Sequence, residues 1–363
     1  MPRHLGLIWT VRKGSEPPEG SLEMPLFRAE ELTYSKVRAL DPAKTICFLP
    51  VSALEVHGPH LPLGMDLFMA LWMAEETGRR FAERHPDWNV LLYPAVPVGA
   101  DELAVAGSVD CGPQAVYRAV LGHGRSLARS GFRFVVVTNG HGGPRHAATL
   151  ESVCRSVSRR YRISMFTPSI AVLHAIVSGR ILSRIEEVLG RPLSDEERQA
   201  ASAGGEHAGL WETSFMLAGN PSLVEPNWRD LPPDAPPKVA FLAGATSFLA
   251  RVSERLGFSA AGIREVGESL SGGVGWLLNM RYGYGGPTVT YHGSPAAASP
   301  ELGSAFREVL VRECLEVVEE VALGRRSALE VRSIASSFPP IRAEFARRLV
   351  WAGALALLGV LAL

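Results

Sequence analysis

The stretch T-I-C-F-L-P-V-S-A-L-E-V-H-G-P-H-L-P-L-G-M-D, residues 45–66, runs from an apolar segment straight into a set of ionisable residues. Residues 45–51 are apolar and rich in β-branched side chains, the pattern of a strand buried on both faces. Glu55, His57, His60 and Asp66 follow, punctuated by glycine and proline. Three further runs of the same kind occupy 89–98, 132–138 and 163–172, and the segments between them, 67–85, 113–130 and 145–161, carry helical periodicity. Strand–helix alternation with two-faced strands predicts an α/β fold, a mainly parallel sheet covered by helices on both sides. Parallel sheets of this kind bind ligands outside the carboxyl ends of their strands. The ionisable cluster at 55–66 therefore falls where such a fold builds its sites.

Downstream, Ser194 and Glu197 form a capping box for a helix over 194–203, ended by Gly204-Gly205. Residues 225–238 hold five prolines and read as an irregular loop or lid. Residues 272–286 are glycine-rich but lack a strand–GxGxxG–helix context, so they read as loop. An amphipathic helix is expected over 300–322.

The 363 residues balance 37 Lys+Arg against 37 Asp+Glu and are 47% hydrophobic, which suits a large packed core and argues against nucleic-acid binding. Four dispersed cysteines, Cys47, Cys111, Cys154 and Cys314, make neither a disulfide framework nor a structural zinc site, and fit a cytoplasmic, reducing setting. The N-terminal residues do not read as a secretory signal. Residues 349–363 carry no charged or polar side chain. As a helix they span roughly 22 Å, short of the ~30 Å hydrocarbon core. Two readings stand for this tail, a membrane contact or a helix packed on another subunit.

Four of the ten histidines lie in three glycine-bearing stretches: 55–66, Asn139-Gly-His141-Gly142-Gly143, and Glu206-His207-Ala-Gly-Leu-Trp-Glu212-Thr-Ser214. Glu55 and His57 leave the same face of an extended segment, ~6–7 Å apart along the chain at about 3.3 Å per residue. That suits one ligand on each of two ions ~3.5–4 Å apart. Asp66, after a turn, can return a carboxylate between them. His141 and Glu212 complete a set of two histidines and three carboxylates, a mixture suited to Zn²⁺, Mn²⁺ or Fe²⁺. On a continuous helix Glu212 would sit ~140° around from His207, so the two are expected to serve different partners. His146 and His292 read as bystanders.

These three motifs resemble those of the creatininase (creatinine amidohydrolase) family, E-x-H-G-P-H-L-P-x-x-x-D, N-G-H-G-G-N and H-A-G-x-x-E-T-S. A weaker likeness is Gly293-Ser-Pro295 with Ala298-Ser-Pro-Glu301-Leu-Gly303. The resemblance runs over about 25–322. It implies a three-layer α/β/α sandwich, a homo-oligomer (commonly a hexamer), and two divalent metal ions per subunit. It assigns Glu55, Asp66 and His141 to one ion and His57, Asp66 and Glu212 to the other. It further implies an organisation of an extension over 1–24, a hydrolase domain over 25–325 with insertions about 176–205 and 220–290, and a linker and tail over 326–363. Creatininase itself takes a ligand from a Glu two residues after the N-G-H histidine, where this chain has Gly143. Pro144 replaces the family's Asn. The family's F-P-G-T pocket segment reads Val105-Ala-Gly107-Ser108 here, and Leu103 stands where a His is common. The creatinine reaction is thereby put in doubt.

The reaction expected is metal-assisted hydrolysis of an amide-type C–N bond in a small, cyclic or formamide substrate. His207, with Glu206 beside it, is the candidate for moving protons to the leaving group. His60 and the backbone at Gly142 and Gly143 are candidates for substrate contact. The alternatives are ring-opening C–C cleavage of a cyclic ketone, peptide trimming in cofactor maturation, or a non-catalytic, membrane-tethered binding protein.

Overall fold

The computed structural model describes residues 26–169, 172, 180–202, 207–234, 239–255, 275, 278–279 and 290–332. The tail at 349–363, Glu206 and nearly all of 272–286 lie outside them. Among the described residues six strands, β1 (Leu26–Arg28), β2 (Thr45–Ser52), β3 (Asn89–Leu92), β4 (Val96–Pro97), β5 (Phe134–Thr138) and β6 (Ser164–Phe166), form one all-parallel sheet. Its order is β1-β3-β2-β5-β6, with β4 pairing the end of β2. β2 is therefore central, and all eight of its residues are buried.

The alternation along β2 builds the three layers directly, because successive side chains point to opposite faces. Cys47, Leu49 and Val51 pack with Val135 and Val137 of β5 under α3 (Gly112–Arg129) and α4 (Pro144–Tyr161). Ile46 and Phe48, with Val136, pack on the other face beneath α2 (Met65–Arg84) and the long helix Pro300–Ala322. A third apolar cluster joins the first turns of α2 to helices α5 (Arg180–Leu189), α6 (Asp195–Ser202), α7 (Leu210–Gly219) and the long helix, which, after α8 (Ala240–Arg255), is α9. The short α1 (Tyr34–Ala39) precedes β2.

The expected elements form, with four corrections. The run 89–98 is two strands, because Pro94 has no N–H for the ladder and the chain steps from β2's beginning to its end. The run 163–172 pairs only over β6, and Val172 is already helical. The helix expected over 194–203 covers Asp195–Ser202, capped as expected: Glu197 N–H donates to Ser194 Oγ (3.1 Å) and Ser194 N–H to Glu197 Oε2 (2.7 Å). Within the proline-rich 225–238, Pro226–Asp230 forms a short 3-10 helix. The sequence pattern also missed β1, α1, α5 and α8. None of the four cysteines forms a disulfide. Among the described residues no helix is long and apolar enough to cross a membrane.

Candidate metal centre

The three motif stretches meet at the carboxyl ends of β2 and β5. Glu55 and His57 lie in the loop leaving β2, and Asp66 is the second residue of α2, which that loop feeds. His141 leaves β5 in the turn before α4, and Glu212 stands in the first turn of α7. Glu55 is wholly buried, His57 and Asp66 are 1% exposed and His141 3%.

Two groups that could hold a metal ion result, Glu55–Asp66–His141 and His57–Asp66–Glu212, each with its donor atoms within 4.8 Å of one another. Asp66 is common to both. Its Oδ2 lies 3.0 Å from His141 Nδ1 and its Oδ1 3.2 Å from His57 Nε2. Glu55 Oε2 is 3.1 Å from His141 Nδ1, and Glu212 Oε2 is 3.6 Å from His57 Nε2. A third grouping, Glu55–His57–His207, overlaps the first two.

The neighbouring backbone orients each ligand. His57 Nδ1–H donates to the Glu55 carbonyl (3.0 Å), turning Nε2 inward. His141 Nε2–H donates to the Ala100 carbonyl (3.0 Å), turning Nδ1 inward. Leu103 N–H holds Glu55 Oε1 at 2.6 Å, and Ala208 N–H holds Glu212 Oε2 at 2.5 Å. Such outer contacts fix the tautomer and aim of a metal ligand. The turn carrying His141 is itself pinned. Ser52 Oγ accepts from Gly140 N–H (3.2 Å) and His141 N–H (3.1 Å) and donates to Asn139 Oδ1 (3.0 Å). Asn139 Nδ2 donates to the His141 carbonyl (2.7 Å), and His146 donates to Asn139 Oδ1 (3.2 Å). His146, expected as a bystander, thus supports the turn. Replacing Ser52 by Ala should remove the acceptor of the half-buried Gly140 N–H and leave His141 N–H with Asn139 Oδ1 (3.0 Å) alone. We expect about 10-fold weaker metal uptake and a loss of roughly 1–3 kcal/mol of stability, read by metal titration and thermal melting.

The donor set fits divalent cations. Asp66 Oδ1 and Oδ2, Glu55 Oε2 and His57 Nε2 are buried at ion-pair distances, yet among the described residues none makes a well-aligned hydrogen bond. Their lone pairs converge on shared space rather than on one another. Burial alone disfavours a charged His57, but Asp66 and Glu212 reverse this and raise it to about 10. His141 is likewise raised against its burial by Asp66 and Glu55. Burial lifts Glu212 to about 7 against the pull of His57. Protons on these histidines partly offset two buried carboxylates and the half-buried Glu212, a role that a metal cation fills with better geometry.

The remaining predicted residues divide. His207 is not on a helix with Glu212, because α7 begins only at Leu210. The rotation argument for the pair therefore does not apply. His207 sits in an antiparallel bridge with His292, its Nε2–H on the Val56 carbonyl (2.8 Å) and its ring 4.3 Å from that of His57. Burial and the nearby His57 lower it to about 4. His292, the other expected bystander, pairs with Asp234 at 2.7 Å. His60 is buried, its Nε2 hydrogen-bonded with Thr213 Oγ1. A side chain at Gly142 would meet nothing within 4 Å, whereas a Cβ at Gly143 would strike His141 Nε2 (2.4 Å) and the Ala100 carbonyl (2.6 Å). Gly143 is needed for the His141 contact itself. Sequence reasoning passed over Ser52 and Thr213, although both stand inside or beside the motifs. It also passed over Glu102, a buried carboxyl that desolvation raises to about 7.

A family model described as creatininase, creatinine amidohydrolase, matches residues 30–318. The chain is similar to a mycofactocin precursor peptide peptidase of Mycobacterium ulcerans (strain Agy99), 37% identical over 188 residues, 48% of this chain and 59% of the relative. A protein of the same description from Mycobacterium tuberculosis (strain ATCC 25618 / H37Rv) is 36% identical over 118 residues, 31% of this chain and 45% of the relative. The chain thus spans about half the length of the curated relatives it matches. The fold is similar to a solved Bacteroides fragilis NCTC 9343 protein classed with the creatinine amidohydrolases (TM-score 0.52, 19% identity, 81% of this chain and 96% of that one). It is also similar to a solved creatininase designated Mn (TM-score 0.50, 20% identity, 81% and 97%).

Proposed function

The chain belongs to the creatininase family, and from that premise we propose that it is a metal-dependent hydrolase cleaving an amide-type C–N bond. The observation that supports this most directly is the pair of buried ligand groups joined through Asp66. In this reading Glu55, Asp66 and His141 hold one divalent cation, and His57, Asp66 and Glu212 hold the other, with Zn, Mn or Fe as candidates. Bound there, the two cations supply an acidic water as nucleophile at neutral pH and polarise the substrate carbonyl.

The chain's own groups do the rest. The carbonyls of Glu55 and Ala100 keep the two ligand imidazoles in the tautomers that face inward. His207, anchored by the Val56 carbonyl beside His57, is the group we assign to move a proton toward the leaving nitrogen. Glu206 stays a sequence-based partner for that role. The space beside Gly142 leaves room for a substrate to approach the backbone there, and its N–H is our candidate donor to a substrate oxygen on which negative charge develops. A peptide bond is the second reading of the C–N bond, supported by the 36–37% identity to peptide peptidases. A homo-oligomer, with six subunits as in the family resemblance, is proposed and is read by light scattering.

The deciding experiment is elemental analysis of the purified chain beside a Glu55→Gln/His57→Ala variant. About two equivalents of Zn, Mn or Fe per chain, lost in the variant, are expected. The loaded protein is then assayed against cyclic amides, formamides and short peptides. Protein that takes up none of the three metals would overturn the proposal.

A further inference from the structure

Glu212 reaches the centre from a different part of the chain than its partners, so something must hold α7 against the 55–66 loop. The first turn of α7 is a self-contained unit. Ala208 takes a left-handed backbone (φ 52°), its N–H holds Glu212 Oε2, and its carbonyl accepts Thr213 Oγ1–H at 3.3 Å. The same hydroxyl lies 2.9 Å from His60 Nε2, a hydrogen bond in which either group can donate. The other ring nitrogen, His60 Nδ1, is buried without a partner among the described residues. It rests against Gly58, where a Cβ would come within 2.7 Å of it and where φ is +64°. Glycine at 58 thus lets the ring reach across. The His60 carbonyl also accepts from Glu225 N–H at 2.9 Å, tying the loop to the segment that follows α7.

We infer that His60 and Thr213 form a clamp that sets Glu212 opposite His57, making His60 a positioning residue for one of the two ligand groups rather than a substrate contact. The inference rests on the two-cation reading of the centre. Among the described residues no hydrogen bond joins His60 or Thr213 to Glu55 or His141, so the clamp governs the His57–Asp66–Glu212 group and leaves the Glu55–Asp66–His141 group alone.

The test is a titration of the metal-stripped full chain with Co(II), followed by visible absorption and calorimetry. Wild type is expected to take up two equivalents. Thr213→Val, which keeps the shape but removes the hydroxyl, should weaken one equivalent roughly 10–100-fold and leave the other within about twofold. Thr213→Ser should restore wild-type binding. His60→Gln, whose amide nitrogen reaches the Nε2 position, should keep most of the affinity, and His60→Asn, which reaches only as far as Nδ1, should lose it. Fewer than two equivalents in wild type overturns both the clamp and the two-cation reading. Two equivalents bound alike by wild type and Thr213→Val, or equal affinities for His60→Gln and His60→Asn, overturns the clamp alone.

Discussion

Asparagine in place of Asp66 is expected to disable both halves of the metal centre at once. Asp66 is the one residue common to the two Asp66-containing groups, one oxygen 3.2 Å from His57 Nε2 and the other 3.0 Å from His141 Nδ1. Burial by itself opposes its ionisation, yet His57 and His141 hold its carboxyl far below the usual range, so the group is a full anion in the folded protein. Asparagine keeps the shape, loses the charge and offers one oxygen instead of two. Both equivalents should weaken by more than about 100-fold, whereas Glu212→Gln, confined to one group, should cost one equivalent and spare the other. Elemental analysis of the three proteins, purified in parallel, separates these outcomes. Retention of one tight equivalent by Asp66→Asn would show that the carboxylate does not bridge. Proton linkage gives an independent check. Metal uptake must displace the protons that the carboxylates hold on His57 and His141, so affinity should fall as pH falls and calorimetry should record proton release.

Gly303→Ala should be the most damaging conservative change away from the ligands. Gly303 lies on α9 where that helix crosses α7, and a Cβ there would come to 1.8 Å from the Ser214 carbonyl oxygen and 2.4 Å from its carbon. Those atoms are helix backbone and cannot swing aside as a side chain can, so the helices must separate. Overpacking of this kind costs about 3 kcal/mol, which for a chain of this size lowers the melting temperature by roughly 4 °C. Because Glu212 rides on α7 two residues before Ser214, one metal equivalent should weaken as well. Gly122→Ala is the matched control. It lies within α3 with nothing inside 4 Å of the added methyl, and should stabilise the protein by about 0.5–1 kcal/mol. Equal melting temperatures for Gly303→Ala and wild type would refute the close approach of α7 and α9.

The sequence by itself determined the sheet and which ionisable side chains gather at its carboxyl edge. Residues 46–51 are apolar at every position, and a strand with two buried faces requires a layer on each side; the layers follow, in β2, from Ile46 and Phe48 facing one way and Cys47, Leu49 and Val51 the other. The spacing of Glu55, His57 and Asp66 likewise foretold one ligand for each of two groups with a carboxylate between them, because two-residue separation and a turn are local properties of the chain. Tertiary structure alone decided what holds those ligands in place. Ser52 beneath the His141 turn, Ala100 behind its ring and Thr213 against His60 are separated from the residues they orient by 89, 41 and 153 positions. Hydrophobic periodicity and short motifs report on neighbours a few residues away, and a single hydroxyl or carbonyl leaves no such imprint. The same limit explains His207. Its sequence neighbourhood suggested a helix shared with Glu212, but its backbone hydrogen bonds go to His292, and that pairing exists only once the sheet has brought the two segments together.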